Sequence, residues 1–189
     1  MRLETPRLLL RPWRETDAAH LYDIARDPRV GPIAGWPAHT SVEQSAEIIR
    51  TVFRHPEVYA LELKESGRAI GCVGILIGKD SNFDIGDDEG EIAYWIGVPY
   101  WGQGLTPEAV REVMRHAFAT LKLKALWCGY FADNSQSHAA QSKCGFRHHH
   151  TEENKYNKFL QDYRTEHISR ITWQQWLESA GNSTPPLAP

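Results

Sequence analysis

Apolar positions along the chain keep two rhythms. In the segment after residue 107, Ala109, Val110, Val113, Met114, Ala117, Phe118 and Leu121 follow helical spacing while Glu108, Arg111, Glu112 and Arg115 fall between them, which predicts an amphipathic helix over 107–121. "ETDAAHLYDIARD" predicts an earlier helix with Thr16 as its N-cap and Ala18, Leu21, Tyr22 and Ala25 facing inward. "SVEQSAEIIRTVF", 41–53, predicts a second, opened by Ser41 and halted ahead of Pro56. "NSQSHAAQSKC" reads as a short helix capped by Asn134 or Ser135 and ended by Gly145. The second rhythm is the strand: "RLLLRPW" at 7–13, "VYALEL" at 58–63, "AIGCVGILIG" at 69–78, "EIAYWIGV" at 91–98 and "ALWCGYFA" at 125–132. "KESGR" makes 58–63 and 69–78 an antiparallel hairpin, and "FRHHHTE" with "YRTEHISRITW" reads as a late strand pair. "RVGPIAGWPAHT" is a loop shaped by Gly31, Pro32, Gly35 and Pro37.

The strand, helix, strand run over 91–132 calls for a parallel pair inside a sheet otherwise built of hairpins. The fold class is therefore mixed α/β, a mostly antiparallel central sheet with flanking helices. At 189 residues one domain over 1–179 is expected, with "AGNSTPPLAP", 180–189, as a disordered tail. Exposed edge strands of such a sheet offer a homodimer surface.

Charge and cysteine content narrow the setting. A net charge of −3 lacks the basic excess of nucleic-acid and anionic-membrane binders, so neither partner is expected. Cys72, Cys128 and Cys144 are odd in number and far apart, which points away from a disulfide framework or a metal knuckle and toward a reducing cytoplasm. "MRLETPRLLLRPW" holds only a three-residue apolar run, too short for a signal core. Cys128 sits mid-strand among apolar neighbours and reads as core rather than nucleophile.

"PYWGQGLTPEAVREVM", residues 99–114, carries the chemistry. A strand, then Gly102, Gln103 and Gly104, then a helix gathers backbone amides at the positive end of a helix dipole, where an anion binds. The glycines admit an oxygen-rich ligand close to the backbone, and Gln103 adds a donor if it turns inward. No Lys-Ser/Thr ending and no third glycine follow, so neither familiar nucleotide loop fits. On this motif alone an anion cradle and a plain tight turn stay equally open.

The wider chain resembles the GCN5-related N-acetyltransferases, in the RimJ/RimL branch, from about Thr5 to Trp176. "TPRLLLRPWRETDAAHLYDIARDPRV" is similar to that branch's N-terminal signature, "EIAYWIGVPYWGQGLTPEAV" to its acetyl-coenzyme A segment, and "NSQSHAAQSKCGF" to the helix after it. The resemblance implies acetyl-coenzyme A as cosubstrate, with its pyrophosphate on the amides of Gln103, Gly104, Leu105 and Thr106 behind Gly102. It implies a pantetheine arm between splayed strands, paired to backbone around Trp95, Ile96 and Val98 and bonded by Asn134 from the other side. Two positions depart from the superfamily pattern. Pro99 stands where Gln or Arg is usual, and Gln141 where many members carry a tyrosine acid; Ser137 matches the branch's serine and is the candidate donor to the leaving thiolate.

Amide formation needs a neutral amine, and an α-amine with a pKa of about 8 loses its proton more readily than a lysine at about 10.4. Glu91, at the start of the strand beside the cradle, is the candidate base, and amides near Trp95 or Ile96 the candidate oxyanion donors. Trp36 either walls the acceptor site or anchors a surface loop. The acceptor is expected to be a protein N-terminal α-amine, with a small amine (polyamine, amino acid or antibiotic) as the alternative and a non-catalytic coenzyme A sensor as the third reading. An open groove between 31–40 and the late hairpin fits a protein acceptor; an enclosed pocket fits a small one. No metal is expected: of "HHH", only His148 and His150 share a strand face. "DIGDDEGE" at 84–91 is a solvated connection without calcium-loop rhythm, and "WQQW" at 173–176 is core packing.

Overall fold

A computed structural model describes residues 1–181 of the chain. Eight strands form one sheet in the order β1-β2-β3-β4-β5-β6-β8-β7. The strands are β1 (Leu3–Glu4), β2 (Leu8–Arg11), β3 (Val58–Leu63), β4 (Arg68–Ile77), β5 (Glu89–Ile96), β6 (Ala125–Phe131), β7 (Arg147–Asn157) and β8 (Asp162–Thr172). Every neighbouring pair is antiparallel except β5 and β6. The mixed sheet with one parallel pair is thus as expected from the alternation of elements.

Helices cover both faces. On one, α4 (Leu105–Ala119) buries Ala109, Val110, Val113, Met114, Ala117 and Phe118 against Leu10, Ile70, Val73, Ile75 and Ile92 of the sheet. Its start lies two residues ahead of the expected one, because Gly104 is the cap. On the other, α1 (Ala18–Ala25) and α3 (Val42–Thr51) pack Leu21, Ala25 and Ile49 on Ala60, Ala69 and Cys72. Ser41 caps α3 by accepting from the Gln44 amide at 3.1 Å. Trp173 and Trp176 open α6 (Trp173–Gly181) and pack on Phe118 at 5.7 and 5.4 Å between ring centres, as "WQQW" implied. Helix α6 runs two residues into the expected tail; 182–189 lie outside the described residues.

Three local expectations are corrected. Thr16 does not cap α1; it lies within a 3₁₀ turn, Glu15–Asp17, and the entry is organised by Asp17, whose carboxylate accepts from the Arg14 amide at 2.9 Å and takes the Arg11 guanidinium at 2.7 and 2.8 Å. The loop after residue 30 contains a one-turn helix, α2 (Gly31–Ala34), with Pro32 in its first turn and Gly35 at its end. The β7–β8 register shifts between His148 and His150, interrupting the alternation that would put both on one face. His148 packs against His167, and the Nδ1 atoms of His149 and His150 lie 2.8 Å apart. Among the described residues no helix is long and apolar enough to cross a membrane.

Candidate active site

The parallel pair is short. Strands β5 and β6 pair only at Glu89–Ala125, Gly90–Leu126 and Glu91–Trp127, then run on to Ile96 and Phe131 unpaired with each other. Each is held on its outer side, β5 by β4 as far as Ile96 and β6 by β8 as far as Phe131, so the gap stays open where the two diverge. A cavity of about 1180 Å³ runs through it. That exceeds the roughly 300–1,000 Å³ of a single-ligand site and has room for donor and acceptor together.

At one end of the cavity lies the glycine turn. Gly102 and Gly104 have φ of +74° and +75°, the left-handed region, and Gly104 caps α4. A Cβ built at Gly102 meets nothing within 4 Å, and at Gly104 only Arg7 Nη2 at 3.7 Å, so the space over both is open to a ligand. Leu105 is buried beneath the turn, and Thr106 lines the cavity. This fits an anion set against the first amides of a fifteen-residue helix. The Gln103 side chain is used differently from the expectation: its amide donates to the Pro99 carbonyl at 2.9 Å, bracing the turn, while Arg7 grips the Gln103 carbonyl at 2.9 Å.

Strand alternation sorts the remaining groups between the faces. Tyr94 points to the α4 side, where its hydroxyl lies 2.9 Å from the Ser137 hydroxyl and 3.2 Å from the Ser137 carbonyl. Burial pushes the Tyr94 hydroxyl far up, so it stays protonated. Ser137 stands in the first turn of α5 (Ser135–Lys143), which Asn134 caps by accepting from the Ser137 amide at 3.0 Å. The other end of the Asn134 side chain donates to the Ile33 carbonyl at 3.3 Å. Gln141, the position lacking a tyrosine, donates to the Gly129 carbonyl at 3.1 Å, on the β6 lip of the gap. On the β5 lip the Ile96 carbonyl accepts from the Trp101 indole at 2.9 Å, while Trp95 and Ile96 line the cavity. Val98 begins a 3₁₀ turn past the strand end and is absent from that lining.

Glu91, Ala93 and Trp95 face the α1–α3 side. Glu91 is 6 % exposed, and its carboxylate accepts from the Ser81 hydroxyl at 2.8 Å, the Asn82 amide at 2.6 Å and the Asn82 side chain at 3.1 Å. Among the described residues no cationic side chain pairs with it. Trp36 is half-buried and meets Trp95 edge-on at 5.4 Å, so it walls the cavity. Above this chamber α2 meets the β7–β8 hairpin: Asn157 donates to the Gly35 carbonyl at 3.0 Å, and Arg164 to the Pro32 carbonyl at 2.6 Å. Cys128 is buried with its thiol pushed up by burial, in keeping with a core role.

Tyr94, Ser81, Asn82, Asn157 and Arg164 were not picked out by sequence reasoning. The alternation of 91–98 already sets Tyr94 opposite Glu91; the other four bear no periodic signal.

A split sheet with a glycine turn ahead of a helix at one mouth of the split and a buried carboxylate at the other has the room and the groups of a transferase site. The acetyltransferase (GNAT) domain model matches residues 7–147, and the chain belongs to that family. It is an acetyltransferase, and the domain implies acetyl-coenzyme A as donor. Over 152 residues it is 26 % identical to the uncharacterized N-acetyltransferase YoaA of Bacillus subtilis, covering 77 % of this chain and 82 % of YoaA. A GNAT-family acetyltransferase from Bacillus anthracis superposes with a TM-score of 0.79 at 17 % identity, over 91 % of this chain and 98 % of that one. Mycobacterium smegmatis RimJ in complex with CoA-disulfide gives 0.72 at 22 %, over 96 % and 93 %. At these identities the structural likeness speaks for the fold alone.

Proposed function

We propose that the protein acetylates the nitrogen of a small primary amine by direct attack within a ternary complex. The observation that carries this is the placement of Glu91 and of the Ser137–Tyr94 hydroxyl pair on opposite faces of the sheet, joined through the β5–β6 gap. Acetyl-coenzyme A supplies a thioester. On the Glu91 side the amine loses a proton to the carboxylate, directly or through a water, and its nitrogen forms the bond to the carbonyl carbon. The carbon–sulfur bond breaks, and the thiolate takes a proton from Ser137, which Tyr94 restores; as the products leave, solvent returns a proton to Tyr94 and carries off the one held by Glu91. Backbone amides facing the gap around Trp95 and Ile96 supply donors to the carbonyl oxygen. The amides of Gln103, Gly104, Leu105 and Thr106 hold the pyrophosphate. In this role Asn134 fixes α5, and thereby Ser137, and keeps a second N–H for the donor's arm.

The bridges over the chamber support the small acceptor. The Gly35–Asn157 and Pro32–Arg164 hydrogen bonds span the groove that an extended polypeptide needs. A protein α-amine is the second reading, supported by the RimJ/RimL-like motifs and by the likeness in fold to RimJ. Release of free thiol from acetyl-coenzyme A, with mass detection of the product, tests both across panels of amines and peptides. Turnover on small amines with none on peptides is the expected result. Peptide-only turnover rejects the small-amine reading, and binding without turnover on every panel rejects catalysis.

A further inference from the structure

We infer that the acceptor is a monoamine on an aromatic or branched apolar body, and that the chamber between α2–α3 and the β7–β8 hairpin selects against polyamines. The inference rests on the small-amine reading above and deepens it.

Charge supplies the first argument. Of the two carboxylates lining the cavity, Glu166 is taken by Lys155 at 2.9 Å, leaving Glu91. His39 adds no charge of either sign: its Nδ1 shares a hydrogen bond with Ser45 Oγ at 2.8 Å, and burial lowers its pKa. Lys155 is itself held by both Glu166 and Glu152, so among the described residues the lining charge at this end outside an ion pair, apart from Glu91, is that of Lys158. Lys155 lies over Phe83 at 5.1 Å and Lys158 over Phe159 at 5.0 Å, both among the cavity-lining residues. One ammonium therefore finds a carboxylate. A second on the same molecule would find no free carboxylate and would lie on the side of Lys158.

The walls supply the second. Trp36, Phe53 and Trp95 form a continuous aromatic surface, with Trp95 at 5.4 Å from Trp36 and 6.4 Å from Phe53. Across the mouth stand large apolar groups turned to solvent, Val52 at 62 %, Tyr156 at 53 % and Phe159 at 62 % exposed, all three lining the cavity. Apolar surface gathered at the entrance of a site is surface that a ligand covers. An aromatic or branched body fills it by edge and face contacts, while its amine reaches Glu91.

Steady-state kcat/KM of the full chain with saturating acetyl-coenzyme A tests this on 2-phenylethylamine, tryptamine, isoamylamine, 1,4-diaminobutane, spermidine and a tripeptide with a free N-terminus. The aromatic and branched monoamines are expected to exceed both polyamines by at least about tenfold. Polyamines equal to or better than monoamines overturn the inference and leave the small-amine acetyltransferase standing. Turnover of the tripeptide alone overturns the small-amine reading with it. Turnover of none overturns the inference and the catalytic reading alike. Two exposed-site variants give independent readouts. Phe159→Ser raises KM for 2-phenylethylamine several-fold more than it lowers kcat, with Phe159→Leu restoring it, and Lys158→Glu raises kcat/KM for spermidine relative to 2-phenylethylamine. An unchanged amine preference in both variants counts against the chamber.

Discussion

The Tyr94 hydroxyl of β5 and the Ser137 hydroxyl of α5 sit 2.9 Å apart across the interface between sheet and helix. Burial keeps the tyrosine protonated, so in the proposed mechanism the pair is the proton source for the departing thiolate. Ser137→Ala is expected to lower kcat by about 10²-fold, and Tyr94→Phe by less, because serine then keeps its own proton but loses its supply. Since the Tyr94 pKa lies well above the usual range, kcat shows no alkaline fall from its ionisation up to pH 9. Stopped-flow thiol release against pH checks both. A Ser137→Ala enzyme with unaltered kcat removes this pair from the mechanism.

Glu91 is held by three neutral donors from Ser81 and Asn82, an arrangement that orients a carboxylate without tying it to a cation. Glu91→Gln keeps the volume and removes the base. The expected outcome is a kcat loss of about 10²-fold at pH 7 that shrinks as the pH approaches the amine's own pKa, with acetyl-coenzyme A binding retained by calorimetry. Equal loss at every pH makes Glu91 a positioning group instead.

How legible this was depended on whether a feature lives in one segment. The α4 face, the Ser41 and Asn134 caps and the glycine turn each lie within a few residues of sequence, and each is where its pattern put it. Asp17 displaced Thr16 as the start of the first helix because its bidentate partner Arg11 comes from β2, outside the local capping pattern. Helix α2 carries proper punctuation in Pro32 and Gly35, yet four residues are too few for periodicity to register. The Ser81 and Asn82 donors sit in a stretch that reads as solvated acidic loop. The bond between Gly35 and Asn157 spans 122 positions and has no local signature at all. The glycine turn was legible; the contacts between α2 and the hairpin were not.

Gly102 and Gly104 both lie at positive φ with open space above them. Gly102→Val and Gly104→Val each strain the turn by about 1 kcal/mol and place a side chain where the anion approaches. Acetyl-coenzyme A affinity is expected to fall about tenfold or more, with only a few degrees lost in Tm. Calorimetric titration and thermal melts separate the two effects. If affinity is retained, the phosphate lies elsewhere. Thiol-based detection should suit this protein, because Cys72, Cys128 and Cys144 are all buried, with Cys72 pushed up to about 12 and Cys144 to about 11.

Arg11 is 2 % exposed and meets both Asp17 and Glu62. Burial by itself raises the Asp17 carboxyl, but hydrogen bonds from Arg11 and from the Arg14 amide outweigh it and hold the pKa below the ordinary value. A depressed carboxylate stabilises the fold above its unfolded pKa of about 3.9 and loses that contribution as the pH falls through its folded value. Asp17→Asn is therefore expected to cost about 3 kcal/mol at pH 7, with the deficit narrowing toward pH 3. Urea denaturation at the two pH values measures it. A deficit independent of pH shows that shape, not charge, is what Asp17 contributes.

The bridges between α2 and the β7–β8 hairpin rest on two side chains, Asn157 to the Gly35 carbonyl and Arg164 to the Pro32 carbonyl. Arg164 also lies over Phe131 at 4.9 Å and pairs with Asp162, so it is braced on three sides, while Asn157 additionally accepts from the Phe159 and Leu160 amides and shapes the hairpin tip. Removing both bridges frees the hairpin from α2 without disturbing the sheet, whose β7–β8 pairing runs on below. The double variant Asn157→Ala/Arg164→Ala is expected to raise KM for small amines by about tenfold, as the mouth loses its far wall, while acetyl-coenzyme A affinity holds. The same change should admit longer acceptors, so kcat/KM for peptides with a free N-terminus rises relative to small amines. Faster amide hydrogen exchange at 157–162 would accompany both. A variant with unchanged KM and unchanged acceptor range assigns these hydrogen bonds to stability alone and returns the groove to a polypeptide.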